Sequence, residues 1–205
     1  MSMRIGFGFD SHAFKPGVPL YIGGLLIDHP EGLAGHSDGD VLLHAITDAL
    51  LGAVSAGDIG TFFPPSDPRW KGAASSLFLK TALDEIKTAG YKIVNIDTCL
   101  VMMRPKIVPI AGELRERVAE LLGVQPGEVG IKAKTPEGLN QDGVAVAYAT
   151  VLLESLDSDD EEKKYVASAE VDDDVDAVVE SLVGRPRDLS ALGRKVPAFD
   201  ADDLT

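Results

Sequence analysis

Two of the chain's four histidines and four carboxylates crowd one stretch: His36, Asp38, Asp40, His44, Asp48 and Asp58. A third histidine, His12, stands two residues after Asp10 in the segment Arg4-Ile5-Gly6-Phe7-Gly8-Phe9-Asp10-Ser11-His12. In an extended chain residues two apart point the same way, so Asp10 and His12 can converge on one atom. Adding His44 gives an Asp/His/His set. Three nitrogen and oxygen ligands with an open fourth position make the pattern of a catalytic zinc site rather than a closed structural one. No Cys-x-x-Cys pair occurs, which excludes a cysteine-based structural site. The competing reading is unrelated polar residues beside turns.

These side chains need elements to hold them. Gly35, Ser37, Asp38 and Gly39 are turn chemistry. Asp38 or Asp40 can cap a following helix by accepting a free backbone N–H. Leu42, Leu43, Ile46, Ala49, Leu50 and Ala53 then form a broad apolar face. His44 and Asp48 lie one turn apart on one face. Asp48 is placed to orient the His44 imidazole, to contact substrate hydroxyls, or to be an ordinary surface acid. A helix N-terminus offers free N–H donors and partial positive charge, which suits phosphate.

The rest of the chain reads as an α/β layered domain with helices on one face of a sheet. Residues 4–9 predict a strand, and Val18–Ile27, with Gly23-Gly24 inside, a short hairpin. His29, before Pro30, reads as an exposed loop histidine outside the site. Asp58–Lys71 predicts a long loop without structure of its own, of the kind that binds or closes over ligands. Ser75–Ala89 predicts a helix with Leu77, Leu79, Leu83, Ile86 and Ala89 inward. Strands follow at Tyr91–Met103, Glu128–Lys134 and Val144–Glu154. Between the first two, Ile107–Leu122 predicts a helix with Ile110, Leu114, Val118, Leu121 and Leu122 inward.

Net charge is −14, but it is uneven. Residues 155–205 hold 15 acids and 6 bases, or −9, leaving −5 for residues 1–154. Neither part is basic, which argues against nucleic acid and anionic membranes as partners. No apolar run approaches the ~20 residues that span a bilayer. The early first strand leaves no room for a signal or transit peptide, and the lone Cys99 fits a reducing cytoplasm. The tail changes composition near Ser155. It reads as an acidic, largely disordered extension, with one short helix where Val171, Val175, Val178 and Leu182 recur at helical spacing.

Three motifs carry a resemblance. They are D-x-H after a glycine-rich first strand, H-S-D-G-D-x-x-x-H-x-x-x-D-A-L-x-G from His36, and G-D-I-G-x-x-F-P from Gly57. Together they resemble the 2-C-methyl-D-erythritol 2,4-cyclodiphosphate synthase family of the non-mevalonate isoprenoid pathway, over roughly residues 3–154. The resemblance implies a ferredoxin-like sheet, a homotrimer with active sites between neighbouring subunits, and release of CMP as a cyclic diphosphate forms. It implies zinc, or another divalent metal, at Asp10, His12 and His44. Glu137 would hold Mg²⁺ or Mn²⁺ with the substrate diphosphate.

The resemblance also assigns substrate contacts. His36 and Ser37 would donate to phosphates, with Ser11 and Asp48 nearby. Asp58, Ile59 and Gly60 would hold the ribose. Phe63, Pro64, Pro65, Ser66 and Asp67 would line the methylerythritol end. Met102, Met103, Arg104, Pro105, Lys106, Ile107 and Val108 would form the cytosine pocket. In Lys132-Ala133-Lys134-Thr135-Pro136-Glu137, the family's K-A-T-T-x-E, Thr135 would assist at the transferred phosphorus. Lys134 departs from that pattern. Asn140-Gln141-Asp142-Gly143 replaces a longer segment whose arginine is missing here, which argues against a terpenoid diphosphate site on the trimer axis. The rival readings are a zinc phosphohydrolase and a non-catalytic acidic scaffold.

Overall fold

Strand β1 (Met3–Pro16) alternates as predicted but runs well past residue 9, so Asp10 and His12 lie within it. The computed structural model describes residues 2–138 and 142–156. All of these fall in the first of two units into which the chain divides, Met1–Glu162. The expectations for residues 157–205 and for Asn140 and Gln141 lie outside the described residues.

The predicted hairpin is present as β2 (Leu20–Ile22) and β3 (Leu25–Ile27). Gly23 and Gly24 between them have φ of 60° and 77°. A two-residue turn with both φ positive matches the twist of the flanking strands, and glycine adopts it without a Cβ penalty. After β4 (Glu31–Leu33) comes the central helix α1 (Val41–Ala53), capped by Asp40, whose carboxylate accepts the Leu43 N–H. The six predicted core residues of α1 are all buried.

The predicted loop 58–71 is not structureless. It holds the one-turn helix α2 (Ile59–Phe62), capped by Asp58, and a 3₁₀ turn at Pro68–Trp70, capped by Asp67. Each of these acids closes a single turn by accepting a backbone N–H. Helix α3 (Ser75–Thr88) buries Ser75, Phe78, Leu79, Ala82 and Ile86, whereas Leu77 is 44% exposed and Ala89 is the exposed C-cap. The predicted stripe was off by one position at its start: the inward face is centred on Phe78, Leu79, Ala82 and Ile86, and Leu77 falls outside it.

Strand β5 (Tyr91–Val101) is followed by a 3₁₀ turn at Val108–Ile110, helix α4 (Ala111–Leu122), β6 (Val129–Lys134) and β7 (Val144–Ser155). Helix α4 buries Leu114, Val118, Ala119 and Leu122 and ends at Gly123 in the left-handed region. No helix among the described residues is long and apolar enough to cross a membrane.

The main sheet has the order β4-β1-β7-β5-β6. Strand β7 is antiparallel to both β1 and β5, and β5 is parallel to β6. This corrects the expected ferredoxin-like connectivity. A ferredoxin-like unit runs β-α-β-β-α-β. Here both helical crossovers come first, and the last strand inserts between β1 and β5.

The two faces of the sheet differ. On one, Gly6, Gly8, Ile96, Thr98, Leu100, Val129, Ala147, Ala149, Val151 and Leu153 are buried, within or beside the helix-packed core. On the other, Met3, Ile5, Phe7, Phe9 and Tyr148 are exposed, and the rings of Phe9 and Tyr148 lie 5.4 Å apart. Helix α1 lies directly on the backbone of β1. A Cβ on Gly6 would sit 1.8 Å from the Ala49 carbonyl oxygen, and one on Gly8 1.9 Å from that of Ala45. Glycine on the strand and alanine on the helix therefore set the distance from β1 to α1, and with it that from Asp10 to His44.

Candidate active site

Asp10 and His12 project from the same side of β1, and His44 from α1 above them. The Asp10 Oδ2 lies 2.9 Å from His12 Nε2 and 2.8 Å from His44 Nδ1, and the two ring nitrogens are 3.1 Å apart. The three side chains offer one ligand atom each to a common point. Burial works against the Asp10 carboxylate, but hydrogen bonds and charge from His12 and His44 outweigh it and hold the group well below the usual range. Burial likewise opposes a charged His12, and Asp10 again prevails, raising its pKa above the ordinary 6.5. Opposite charge and hydrogen bonding each favour the charged forms, which accounts for both shifts.

The turn before α1 is tightly cross-linked. Asp40, fully buried, accepts N–H bonds from Gly23 at 2.9 Å and Gly24 at 2.6 Å as well as from Leu43. The hairpin turn and the helix start thus share one carboxylate. On the far side of the His44 ring, Nε2 meets Ser75 Oγ at 2.8 Å and Ser37 Oγ at 3.0 Å. Ser75 hydrogen-bonds in turn to the Asp38 carboxylate.

Asp48 does not orient the imidazole. Its Oδ1 accepts the Ile59 N–H at 2.8 Å, tying α1 to α2, while burial raises its pKa against that bond. The side chains nearest the far ring nitrogen are the hydroxyls of Ser75 and Ser37 instead. One turn along the helix sets Asp48 over α2, not over the ring.

Asp10, His12, His36, Ser37 and His44 line a cavity of about 250 Å³ together with Ile59, Gly60, Phe63 and Pro65. Two aromatics absent from the sequence-based set, Trp70 and Phe78, complete its wall. The Phe63 ring lies 4.3 Å from that of Phe78 and 4.9 Å from that of Trp70. Trp70 is the chain's sole tryptophan, in a turn-rich segment, and that was the available signal for it.

Several expected contacts fall outside this cavity's lining: Ser11, Asp58, Pro64, Ser66 and Asp67. Alternation along β1 turns Ser11 away from Asp10 and His12. Asp58 caps α2 through Thr61, and Asp67 pairs with Arg69 at 2.6 Å.

The remaining predicted residues divide again. Met102, Pro105, Lys106, Ile107, Val108, Lys134, Thr135 and Glu137 line a second cavity of about 320 Å³ that shares no residue with the first. Thr135 donates its hydroxyl to the Glu137 carboxylate, and Glu137 has a φ of 47°, costly for a non-glycine residue. Pro136 is buried beside them. Met103 and Arg104 turn aside and line a third cavity of about 280 Å³ with Phe14, His29 and Glu31. His29 is therefore not a freely exposed histidine. Its Nδ1 lies 2.7 Å from the Glu31 carbonyl, and its ring lies 5.9 Å from that of Phe14, tilted by 55°.

Residues 3–154 match the model of the YgbB family. The chain belongs to the YgbB family. A relative from Koribacter versatilis (strain Ellin345), named 2-C-methyl-D-erythritol 2,4-cyclodiphosphate synthase, is 64% identical over 152 residues, covering 74% of this chain and 98% of the relative. The chloroplastic synthase of Arabidopsis thaliana is 50% identical over 155 residues, covering 75% and 67%. A solved 2C-methyl-D-erythritol-2,4-cyclodiphosphate synthase with bound CDP superimposes with a TM-score of 0.70 at 43% identity, covering 74% of this YgbB-family chain and all of that one. The family model ends at residue 154, before the acidic tail.

Proposed function

We propose that the chain is a phosphorus–oxygen lyase that converts 4-diphosphocytidyl-2-C-methyl-D-erythritol 2-phosphate to 2-C-methyl-D-erythritol 2,4-cyclodiphosphate and CMP. The observation that carries this reading is the convergence of Asp10, His12 and His44 in one cavity with His36 and Ser37, in a chain so similar to named synthases. An oxygen of the 2-phosphate attacks the β-phosphorus in line. The bond from that phosphorus to the bridging oxygen breaks, and CMP leaves with the electron pair.

The donor set of one carboxylate and two imidazoles fits zinc. Asp10, His12 and His44 would hold it, and Glu137 would hold magnesium. Bound there, such ions supply Lewis acidity and neutralise phosphate charge. The chain's own groups supply position. His36 and Ser37 donate to phosphate oxygens, an interaction whose loss typically costs about 10²–10³-fold in rate. The Phe63, Trp70 and Phe78 wall excludes water around the methylerythritol end. Thr135 and Glu137 are pre-oriented by their hydrogen bond. Lys106 and Lys134 bring positive charge to the nucleotide side.

The two separate cavities support a homotrimer in which the metal cavity of one subunit faces the nucleotide cavity of its neighbour. The bare apolar sheet face supports self-association, since a patch of that kind on a soluble chain marks a contact surface. Residues 1–154 form the synthase domain in this reading, and 155–205 an added acidic extension. The single cysteine supports a cytoplasmic setting.

The test is ³¹P NMR of the purified protein with the 2-phosphate substrate and Mg²⁺, with and without a zinc chelator. Cyclic diphosphate and CMP that vanish with the chelator are the expected result. Linear phosphate products would replace this reading with the hydrolase. In sedimentation, Phe7→Glu is expected to yield monomer where the wild type is a trimer.

A further inference from the structure

Orienting His44 was one of three roles the sequence left open for Asp48, whose carboxylate instead accepts the Ile59 N–H. Nε2 of His44 has two hydroxyls in reach, Ser75 at 2.8 Å and Ser37 at 3.0 Å. They are not equivalent. Ser75 is fully buried and Ser37 lines the cavity.

The hydrogens can be counted. A serine hydroxyl carries one hydrogen, and a carboxylate only accepts. Asp38 already accepts the Ser75 N–H at 3.0 Å and the Asp40 N–H at 3.2 Å, and its Oδ1 is in close contact with Ser75 Oγ. The Ser75 hydroxyl hydrogen therefore goes to Asp38. Its oxygen then faces His44 only as an acceptor, so Nε2 must carry a hydrogen. With Nε2 donating to Ser75, Nδ1, the atom turned toward Asp10 and His12, is the nitrogen left to meet an ion there. A metal-binding histidine whose second nitrogen donates to a fixed acceptor is held in one tautomer and one orientation.

We propose that Ser75, itself held by Asp38, is a positioning residue of the metal centre, and that this frees the Ser37 hydroxyl hydrogen for a phosphate oxygen. Ser75 stands at the first position of α3, one residue after the N-cap Ala74. Its hydroxyl is directed to the ring and to Asp38. The inference rests on the metal reading above.

The experiment titrates zinc into the full-length protein against a competing chelator, for wild type, Ser75→Ala, Ser75→Thr and Ser37→Ala. A parallel ¹H–¹⁵N spectrum of the zinc-loaded proteins follows the His44 Nε2–H, and thermal midpoints check the fold. Ser75→Ala is expected to weaken zinc binding by about 10- to 100-fold, the usual cost of losing such a partner, and to speed solvent exchange of the Nε2–H. Ser75→Thr restores both, and Ser37→Ala keeps zinc affinity within about 3-fold of wild type by the same principle. Wild-type affinity and exchange in Ser75→Ala would overturn this inference alone, as would zinc loss in Ser37→Ala with none in Ser75→Ala. A wild type that takes up no zinc would overturn the metal reading and this inference with it.

Discussion

The two principal cavities are built from different materials. The metal cavity takes its ligands from β1 and α1 and its supports from the start of α3. Its donors are fixed by strand alternation, by helical spacing, and by a strand and helix packed backbone to backbone through Gly6, Gly8, Ala45 and Ala49. The second cavity takes its walls from the connections after β5 and β6, where a strained Glu137 and a short 3₁₀ turn do the shaping. Ligand atoms that must meet within a few tenths of an ångström sit on regular elements. The second cavity is shaped by connections that no regular element fixes. The difference is one of required precision.

Mutations should separate the two sides. The largest effect is expected for His44→Ala: loss of bound zinc by elemental analysis and a fall in turnover of roughly 10³-fold or more, with the fold kept. Retained zinc would remove His44 from the ligand set. Glu137→Gln strikes the other cavity. It should lower turnover by about 10²-fold or more while leaving zinc content unchanged, and a matching zinc loss would show that the cavities are not independent.

Gly8→Ala tests the spacer. A Cβ there collides with the Ala45 carbonyl, so a stability loss of about 3 kcal/mol or more is expected in urea titration, together with weaker zinc binding. Unchanged zinc affinity in the folded fraction would show that strand-to-helix distance does not set the site.

Acidity offers a smaller, graded test. In the metal-free protein His12 has a raised pKa, so its pairing with Asp10 contributes stability below the ordinary histidine range and loses it as pH rises through the raised value. Asp10, with a lowered pKa, contributes above the ordinary carboxylate range and loses its share as pH falls through the lowered value. Zinc needs unprotonated histidines. Its affinity should therefore fall as pH drops, beginning above pH 6.5, and the melting curves of free and loaded protein should diverge as pH rises. Lys134→Thr, which restores the family residue, is expected to change turnover least, within about 10-fold, through a single phosphate contact.

What could be read from the sequence follows the range of each interaction. Asp10 and His12 were legible because period-2 alternation is local, and Asp40 because a cap acts within three residues. His44 joined them only through a long motif. Ser75 was invisible: its partners Asp38 and His44 lie 37 and 31 residues away, and a serine at a helix start looks like a cap. Leu77 and Phe78 were exchanged because both are apolar and only packing against α1 chooses between them. The connectivity eluded the reading because nothing in β7 itself says which strands it will separate. The split of Met102–Val108 between two cavities has the same origin, a chain reversal with no periodicity to follow.

The placement of β7 has a consequence for how the molecule is made. Both ends of the metal-binding strand leave the ribosome early, yet β1 meets β4 only over Phe14–Pro16. Its full-length neighbour is β7, paired from Met3↔Glu154 to Ala13↔Val144. Asp10 and His12 therefore wait on a strand without its long partner until β7 has been synthesised. Contacts so distant along the chain slow folding. During that interval α1 alone steadies Asp10 and His12, and an exposed, unpaired strand edge invites a second nascent chain. Newly made protein should bind metal late, after the final strand closes the sheet.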